Sequence, residues 1–296
     1  MTLVVLGLDA LDAALVERFD ADAFQLNEST QIKTFAHSRD VPYTLEVWPT
    51  TVTGVGPEEH GITDSGTSEW GNPILELGSR LTGRLSEGTR GKLGSLVEEM
   101  TGTREELAET DAETVFDRED AVVHNWPGVH DGSDLQRAWD LMGATTEGMG
   151  RSTFERELLG LCAEQFGWAV EMLNHDVSIA GVHVHTLDAA GHAYSDNEAA
   201  LSAMYDRVGS FVADLETALG PEDDLLLLSD HGMKTEFVDG DSGHSFRAFA
   251  ATTTDTVPRD VCEAANWIED HAIGASGKDA GDVDIDRENL EDLGYI

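Results

Sequence analysis

Three stretches of the chain end an apolar run on side chains that could hold a metal ion. Thr2–Leu8 (TLVVLGL) runs into Asp9, and Val177–Thr186 (VSIAGVHVHT) is followed by Asp188 and, four residues on, by His192. The third is Leu225–Leu228, followed by Asp230-His231-Gly232-Met233 and, after a short loop, His244. Aliphatic runs without polar alternation read as strands buried on both faces, as in a parallel sheet. Open α/β sheets place their ligands beyond the carboxyl ends of such strands. Carboxylate oxygens and imidazole nitrogens suit zinc or manganese. One such ending reads equally well as a helix cap beside a loop histidine. Three at one edge of one sheet would converge in space. Six Asp and His side chains point to two divalent ions, and an ion pair clamps a phosphoryl group and activates the attacking oxygen. Gly232 is expected to turn the backbone sharply beneath the site, and Gly191 to fold His192 back toward Asp188 across a loop at 188–192.

The intervening residues supply the elements that must position these groups. Leu11–Phe19 has the pattern of a short amphipathic helix, with Asp12 as a cap. Residues 40–66 are rich in Pro, Gly and Thr around a short helix near Trp48–Val55. Residues 67–150 change character and read as an inserted cap, with a strand at Ala121–His124 and a helix at Leu135–Met142. Ser152, with Glu155 three residues later, predicts the N-cap of a long helix to Asn174. Further helices are expected from Asn197 to Leu219 and from Arg259 to His271, with a strand at Phe246–Ala251. This alternation predicts one α/β domain over residues 1–296, with a largely parallel central sheet and helices on both faces. His60 reads as a structural loop histidine, His183 and His185 as core residues or supports behind the ligands, and Asp239 as a cap or solvated loop residue.

The chain carries 58 acidic against 18 basic residues, a formal net charge of −40 over 296 residues. Such a field repels nucleic acid polymers and anionic membranes, so neither is an expected partner. Lysine occurs only at Lys33, Lys92, Lys234 and Lys278. An acid-coated, lysine-poor surface fits a protein of a concentrated-salt interior. Cys162 and Cys262 fall in helical patterns and imply no disulfide framework. Met1–Leu8 lacks a basic flank and a cleavage site, so it reads as a strand and the protein as cytoplasmic.

The residues resemble the alkaline phosphatase superfamily, in its type I phosphodiesterase and nucleotide pyrophosphatase branch. The matching pieces are Gly7-Leu8-Asp9, Thr44 with Trp48, Thr53-Gly54 with Pro57 and His60-Gly61-Ile62, Asp188 with His192, Asp230-His231-Gly232-Met233, and His244. They occur in the family's order and leave residues 67–150 unmatched. Leu293-Gly294-Tyr295 is similar to the closing residues of sulfatase relatives. The resemblance implies one metal held by Asp9, Asp230, His231 and the nucleophile, and a second by Asp188, His192 and His244. It implies zinc or manganese and a small phosphorylated substrate such as a nucleotide. The nucleophile is Thr44 by its spacing to Trp48 and Thr53, with Thr50 and Thr51 as alternatives. Where relatives carry an Asn that binds phosphate, this chain has Ser65 after Asp64. Leu45-Glu46 replaces a segment where the family has a proline. Pro49 is expected in the first helical turn, and Glu46 is expected to add negative charge near the site.

The activity implied is two-metal hydrolysis of phosphodiester or pyrophosphate bonds through a covalent threonine intermediate. Alternatives are a phosphomonoesterase, a sulfatase, a phosphotransferase, or a metal-binding relative without turnover. Neither cysteine stands in the Cys-x-Pro-x-Arg setting of a sulfatase. The charge makes a prediction of its own. Self-repulsion should weaken the compact state as the Debye length grows from about 3 Å at molar salt to about 10 Å at 0.1 M. Thermal melts across that range should climb steeply with salt, and a flat profile would assign the acidity another purpose.

Overall fold

The computed structural model describes residues 1–63 and 107–272. Asp64, Ser65, the 67–106 part of the expected cap and Leu293-Gly294-Tyr295 lie outside the described residues. The chain begins with β1 (Leu3–Leu8), α1 (Ala13–Arg18), β2 (Glu28–Gln31), α2 (Thr44–Thr53) and the one-turn α3 (Pro57–His60). It continues through β3 (Ala121–His124), α4 (Ser133–Thr146), α5 (Arg151–Met172), β4 (Ile179–Val184), α6 (Thr186–Ala193) and α7 (Glu198–Ala218). After β5 (Asp224–Leu228), a hairpin of β6 (Gly232–Lys234) and β7 (Gly243–Ser245) encloses the one-turn α8 (Glu236–Asp239). β8 (Phe249–Thr252) and α9 (Ala264–His271) follow.

Six strands form one sheet in the order β2-β8-β5-β1-β4-β3. The strands β5, β1, β4 and β3 run parallel, while β8 pairs antiparallel with both β5 and β2. Its two faces bury alternate residues of the same strands. Leu6, Leu8, Leu225 and Leu227 pack with Phe154 and Leu158 of α5 and Leu201 and Met204 of α7. Leu3, Val5, Leu226 and Leu228 pack with Val47 and Trp48 of α2 and Ile268 of α9. A sheet covered on both sides needs apolar residues at every position, which is why four leucines stand in a row. Each such side chain contributes about 1.5–3 kcal/mol by leaving water. Among the described residues no helix is long and apolar enough to cross a membrane.

The structure refines several expectations. Ala121–His124 is a strand, and it pairs in parallel with β4 as an edge of the central sheet. Residues 121–146 therefore add to the layers that carry the site. Ser152 is not the cap of α5: Gly150 is the N-cap, in an extended conformation. Glu155, freed from any capping role, instead accepts from Arg151 and from the Tyr194 hydroxyl. α2 begins at Thr44, four residues before the expected start, so Pro49 lies in the helix interior and not in its first turn. Its missing N–H deprives the Leu45 carbonyl of its helical partner. Asp12 caps α1, accepting from the Ala14 and Leu15 N–H groups, and also receives the Met233 N–H, the Ser245 hydroxyl and Arg247. That one carboxylate ties the β6–β7 hairpin to the sheet.

His60 locks α3 onto α2. The Ile62 N–H donates to its Nδ1 at 3.2 Å, so Nε2 carries the proton and faces the Glu46 carbonyl at 3.2 Å and Thr50 Oγ1 at 3.1 Å. Burial pushes this imidazole down from 6.5 to about 4, because a second proton would have to displace the Ile62 N–H. The unfolded chain then binds a proton that the folded chain does not. Stability should fall as pH drops from about 6.5 toward about 4, by at most about 3 kcal/mol from this group. His60→Gln keeps polar atoms there without the titration. The Tm difference between pH about 7 and pH about 4.5 should therefore shrink in the variant. An unchanged difference would clear His60 of this role.

Candidate metal centre and nucleophile

All the expected ligands arrive at one edge of the sheet, because β1, β4 and β5 are parallel and end together. Asp9 follows β1, and Asp230 and His231 follow β5; all three are fully buried. Asp188 and His192 do not sit on a loop. They lie on α6, which starts two residues after β4, and their separation of four places them on one helical face. Gly191 is helical, and a Cβ there would stand 2.7 Å from the Met233 methyl. Its function is to admit Met233, not to bend the chain. Gly232 likewise starts β6 without a sharp turn; a Cβ there would overlap Asp12 Oδ2. His244 is brought in by β7.

The side chains gather into two trios. Asp9, Asp230 and His231 offer ligand atoms within 4.8 Å of one another, and so do Asp188, His192 and His244. The rings of His231 and His244 stack at 3.7 Å, which joins the trios. Thr44, the first residue of α2, places Oγ1 3.2 Å from His231 Nε2. Thr50 and Thr51 are turned away: their hydroxyls donate to the Glu46 and Trp48 carbonyls. The Glu46 carboxylate accepts from the Ser38 N–H and hydroxyl. Asp239 is engaged by Arg247 and the Thr235 N–H. Cys162 lies in the core and its thiol is pushed up to about 12 by burial, far from any nucleophilic use. Openness grades across the cluster, from side chains of Asp9 and His231 with no exposure to His192 at 39%.

The donor set suits cations. Backbone carbonyls only accept, so His231 Nδ1 must donate to the Gly232 carbonyl at 3.0 Å and His244 Nδ1 to the Pro42 carbonyl at 2.9 Å. A neutral ring fixed this way turns an Nε2 lone pair inward, as a metal ligand requires. His192 Nε2 and His244 Nε2 stand 3.3 Å apart, and with the His244 proton on Nδ1 the His244 Nε2 lone pair accepts from His192. Asp9 Oδ1, Asp188 Oδ1 and Asp230 Oδ2 are buried without a directed hydrogen bond. His231 Nε2 is near two of them, 3.2 Å from Asp9 Oδ1 and 3.3 Å from Asp230 Oδ2, but its geometry to neither is that of a hydrogen bond. Buried carboxylate oxygens in this state fit ions.

Proton affinities show the same imbalance. Burial opposes ionisation of Asp9, but the charge of His185, the hydrogen bonds from His183 and His185 and the nearby His231 ring outweigh it and hold its carboxyl well below the usual range. Burial and the neighbouring Asp9 push Asp230 well above that range. Burial also works against charge on His185 and His231, yet the surrounding carboxylates raise each to about 10. Protons here compensate negative charge that divalent ions would otherwise balance.

Sequence reasoning gave no role at the site to Trp48 or Asn125, and read His185 as a core residue or a support behind the ligands. Trp48 Nε1 donates to Asp9 Oδ2 at 3.4 Å, linking the helix of Thr44 to the first trio. Asn125, just beyond β3, faces His183. His185 spans the trios, with Nδ1 2.8 Å from Asp9 Oδ2 and Nε2 3.0 Å from Asp188 Oδ2. The available signal for Asn125 was its place directly after an apolar run, the rule that found Asp9.

No curated protein sequence matches the chain. Among solved structures, murine ectonucleotide pyrophosphatase/phosphodiesterase 5 is 16% identical, with a TM-score of 0.43 over 79% of this chain and 58% of its own. The chain thus spans little more than half of that protein. An inactive form of the murine protein in complex with AMP gives 16% identity and a TM-score of 0.45, over 79% and 57%. Alkaline phosphatase from the Antarctic bacterium TAB5 is 11% identical, with a TM-score of 0.46 over 92% of this chain and 98% of its own. A family model described as type I phosphodiesterase / nucleotide pyrophosphatase matches residues 3–292. With its fold and clustered Asp and His residues, the chain belongs to the type I phosphodiesterase/nucleotide pyrophosphatase family.

Proposed function

We propose that the chain hydrolyses phosphodiester or pyrophosphate bonds of small phosphorylated molecules, nucleotides among them, with Thr44 as nucleophile and two divalent ions, zinc or manganese. The observation that carries this reading is the pair of Asp/His trios beside one threonine hydroxyl at a helix N-terminus. Asp9, Asp230, His231 and Thr44 would hold one ion, and Asp188, His192 and His244 the other. Bound there, the ions would supply charge for the transferring phosphoryl group and lower the pKa of hydroxyl and water. The residues do the rest. Thr44 Oγ1 attacks phosphorus as its O–H bond breaks, the P–O bond to the leaving group breaks, the departing alcohol or phosphate leaves with a proton, and a phosphoryl ester of Thr44 forms. Water then attacks that phosphorus, the bond to Thr44 breaks, and the hydroxyl is restored. The N-terminus of α2 presents free N–H groups and a positive dipole end to the phosphoryl oxygens. Ser65, at the position where relatives carry a phosphate-binding Asn, is proposed to donate one further hydrogen bond.

Metal analysis after dialysis should find close to two equivalents, falling toward one in Asp188→Ala or His244→Ala. Protein never exposed to chelator that holds no metal would refute the two-ion reading. With bis-p-nitrophenyl phosphate as substrate, Thr44→Ala should lose on the order of 10⁴-fold or more in kcat, as nucleophile deletions do. Thr44→Ser should keep part of the activity, and Thr50→Ala and Thr51→Ala should cost far less. Near-normal turnover in Thr44→Ala would show that the nucleophile is another residue. The monoester and the sulfate ester, assayed alongside, separate the phosphomonoesterase and sulfatase alternatives.

A further inference from the structure

We propose that Asn125 and His183 form a positioning pair that decides which oxygen of Asp9 is presented to the metal. The proposal rests on the metal reading above and concerns residues outside both trios. Asp9 divides its two oxygens. Oδ2 faces three nitrogen groups: Trp48 Nε1 at 3.4 Å, His183 Nε2 at 3.1 Å and His185 Nδ1 at 2.8 Å. Oδ1 has no directed hydrogen bond and lies on the side of Asp230 and His231. A carboxylate saturated on one oxygen is held for single-oxygen ligation through the other.

Asn125 fixes the direction of this arrangement. The Leu135 N–H can only donate, so the Asn125 atom that it meets at 3.0 Å is Oδ1. The amide nitrogen therefore faces His183, 3.1 Å from its carbonyl and 3.4 Å from its Nδ1. An amide nitrogen has no lone pair to offer, so His183 Nδ1 accepts and the ring proton sits on Nε2, aimed at Asp9 Oδ2. His183 is thus a donor to Asp9, although its ring nitrogen lies close enough to Asp9 and His185 for the three to resemble a metal trio. Asn125 is buried and has a φ of +52°, a conformation that Asn tolerates better than most residues. The strain and the buried amide coincide at one residue, as at a position that serves the site. Supports of this kind typically change metal affinity about 10–100-fold.

The test is metal affinity of the full chain, by competition between protein and a chromogenic chelator for zinc and for manganese, with circular dichroism melts as the folding control. His183→Leu removes the donor. His183→Gln returns an N–H near the place of Nε2. Asn125→Asp is isosteric, keeps the Leu135 N–H satisfied and replaces the donor facing Nδ1 by an acceptor, driving the ring proton to the wrong nitrogen. His183→Leu and Asn125→Asp should weaken one of two metal equivalents about 10–100-fold and leave the other within about twofold. His183→Gln should recover most of the loss. Should His183→Leu fail to fold, Asn125→Asp carries the test alone. Unchanged affinities, equal loss at both equivalents, or a Gln variant as poor as Leu would overturn the pair. A third equivalent that disappears with His183 would overturn it too, by making His183 a ligand. Wild-type protein without metal removes the metal reading itself, whereas two intact equivalents in His183→Leu remove only the positioning pair.

Discussion

A buried carboxylate at the end of the central strand is the constraint around which the rest of the structure is built. Asp9 has no exposed surface, and an isolated ionised group in that place would cost several kcal/mol. The fold answers from three directions. Trp48 comes from the helix that starts at Thr44, while His183 and His185 come from the end of the neighbouring strand and just beyond it, and His231 from just after the strand on the other side. Holding one charge in place therefore fixes the helix of Thr44, two parallel strands and both trios relative to one another.

This dependence explains the division of labour between the two halves of the cluster. The trio around Asp9 is sealed, its geometry set by neighbours that cannot move without breaking the sheet. The trio around Asp188 is more open, and all three of its members hang on secondary elements outside the central sheet, Asp188 and His192 on the helix α6 and His244 on the hairpin strand β7. Asp12 and Arg247 brace that hairpin, so the more exposed half of the cluster is still anchored beside the strand that leads into Asp9. The stacked rings of His231 and His244 are the direct contact between the two halves.

Much of this was legible in the chain because both faces of the sheet are buried. Leu225–Leu228 has no polar alternation, so the strand ends are marked abruptly; Asp9 stands directly after one, Asp230 two residues after another, and Asp188 in the helix that follows the third. The spacing from Thr44 to Trp48 and Thr53 survives in the structure as one helix. What was misread depended on packing between elements. Ala189-Ala190-Gly191 looks like a turn in isolation, yet a Gly facing the Met233 side chain is as good a sign of close helix contact. Asp12 could be read as a cap, while its four further partners come from residues 205–247 and leave no trace near position 12. Asn125 was hidden by assigning its strand to an insertion. The pairing of Ala121–His124 with Ile179–Val182 crosses nearly sixty residues and has no local signature.

Gly7 shows how little material sets the reach of the Thr44 hydroxyl. A Cβ at this residue would stand 2.8 Å from the ring of Trp48, whose edge also meets Trp126 and His183. The indole sits where position 7 has no side chain, and Thr44 lies one helical turn before it on the same rigid α2. The absence of a single carbon in β1 therefore works as a keyway: it sets the depth at which α2 seats against the sheet. A methyl group there would be accommodated not by the core, which is filled on both sides, but by backing the helix out. The displacement would arrive at the hydroxyl before it was felt as lost stability.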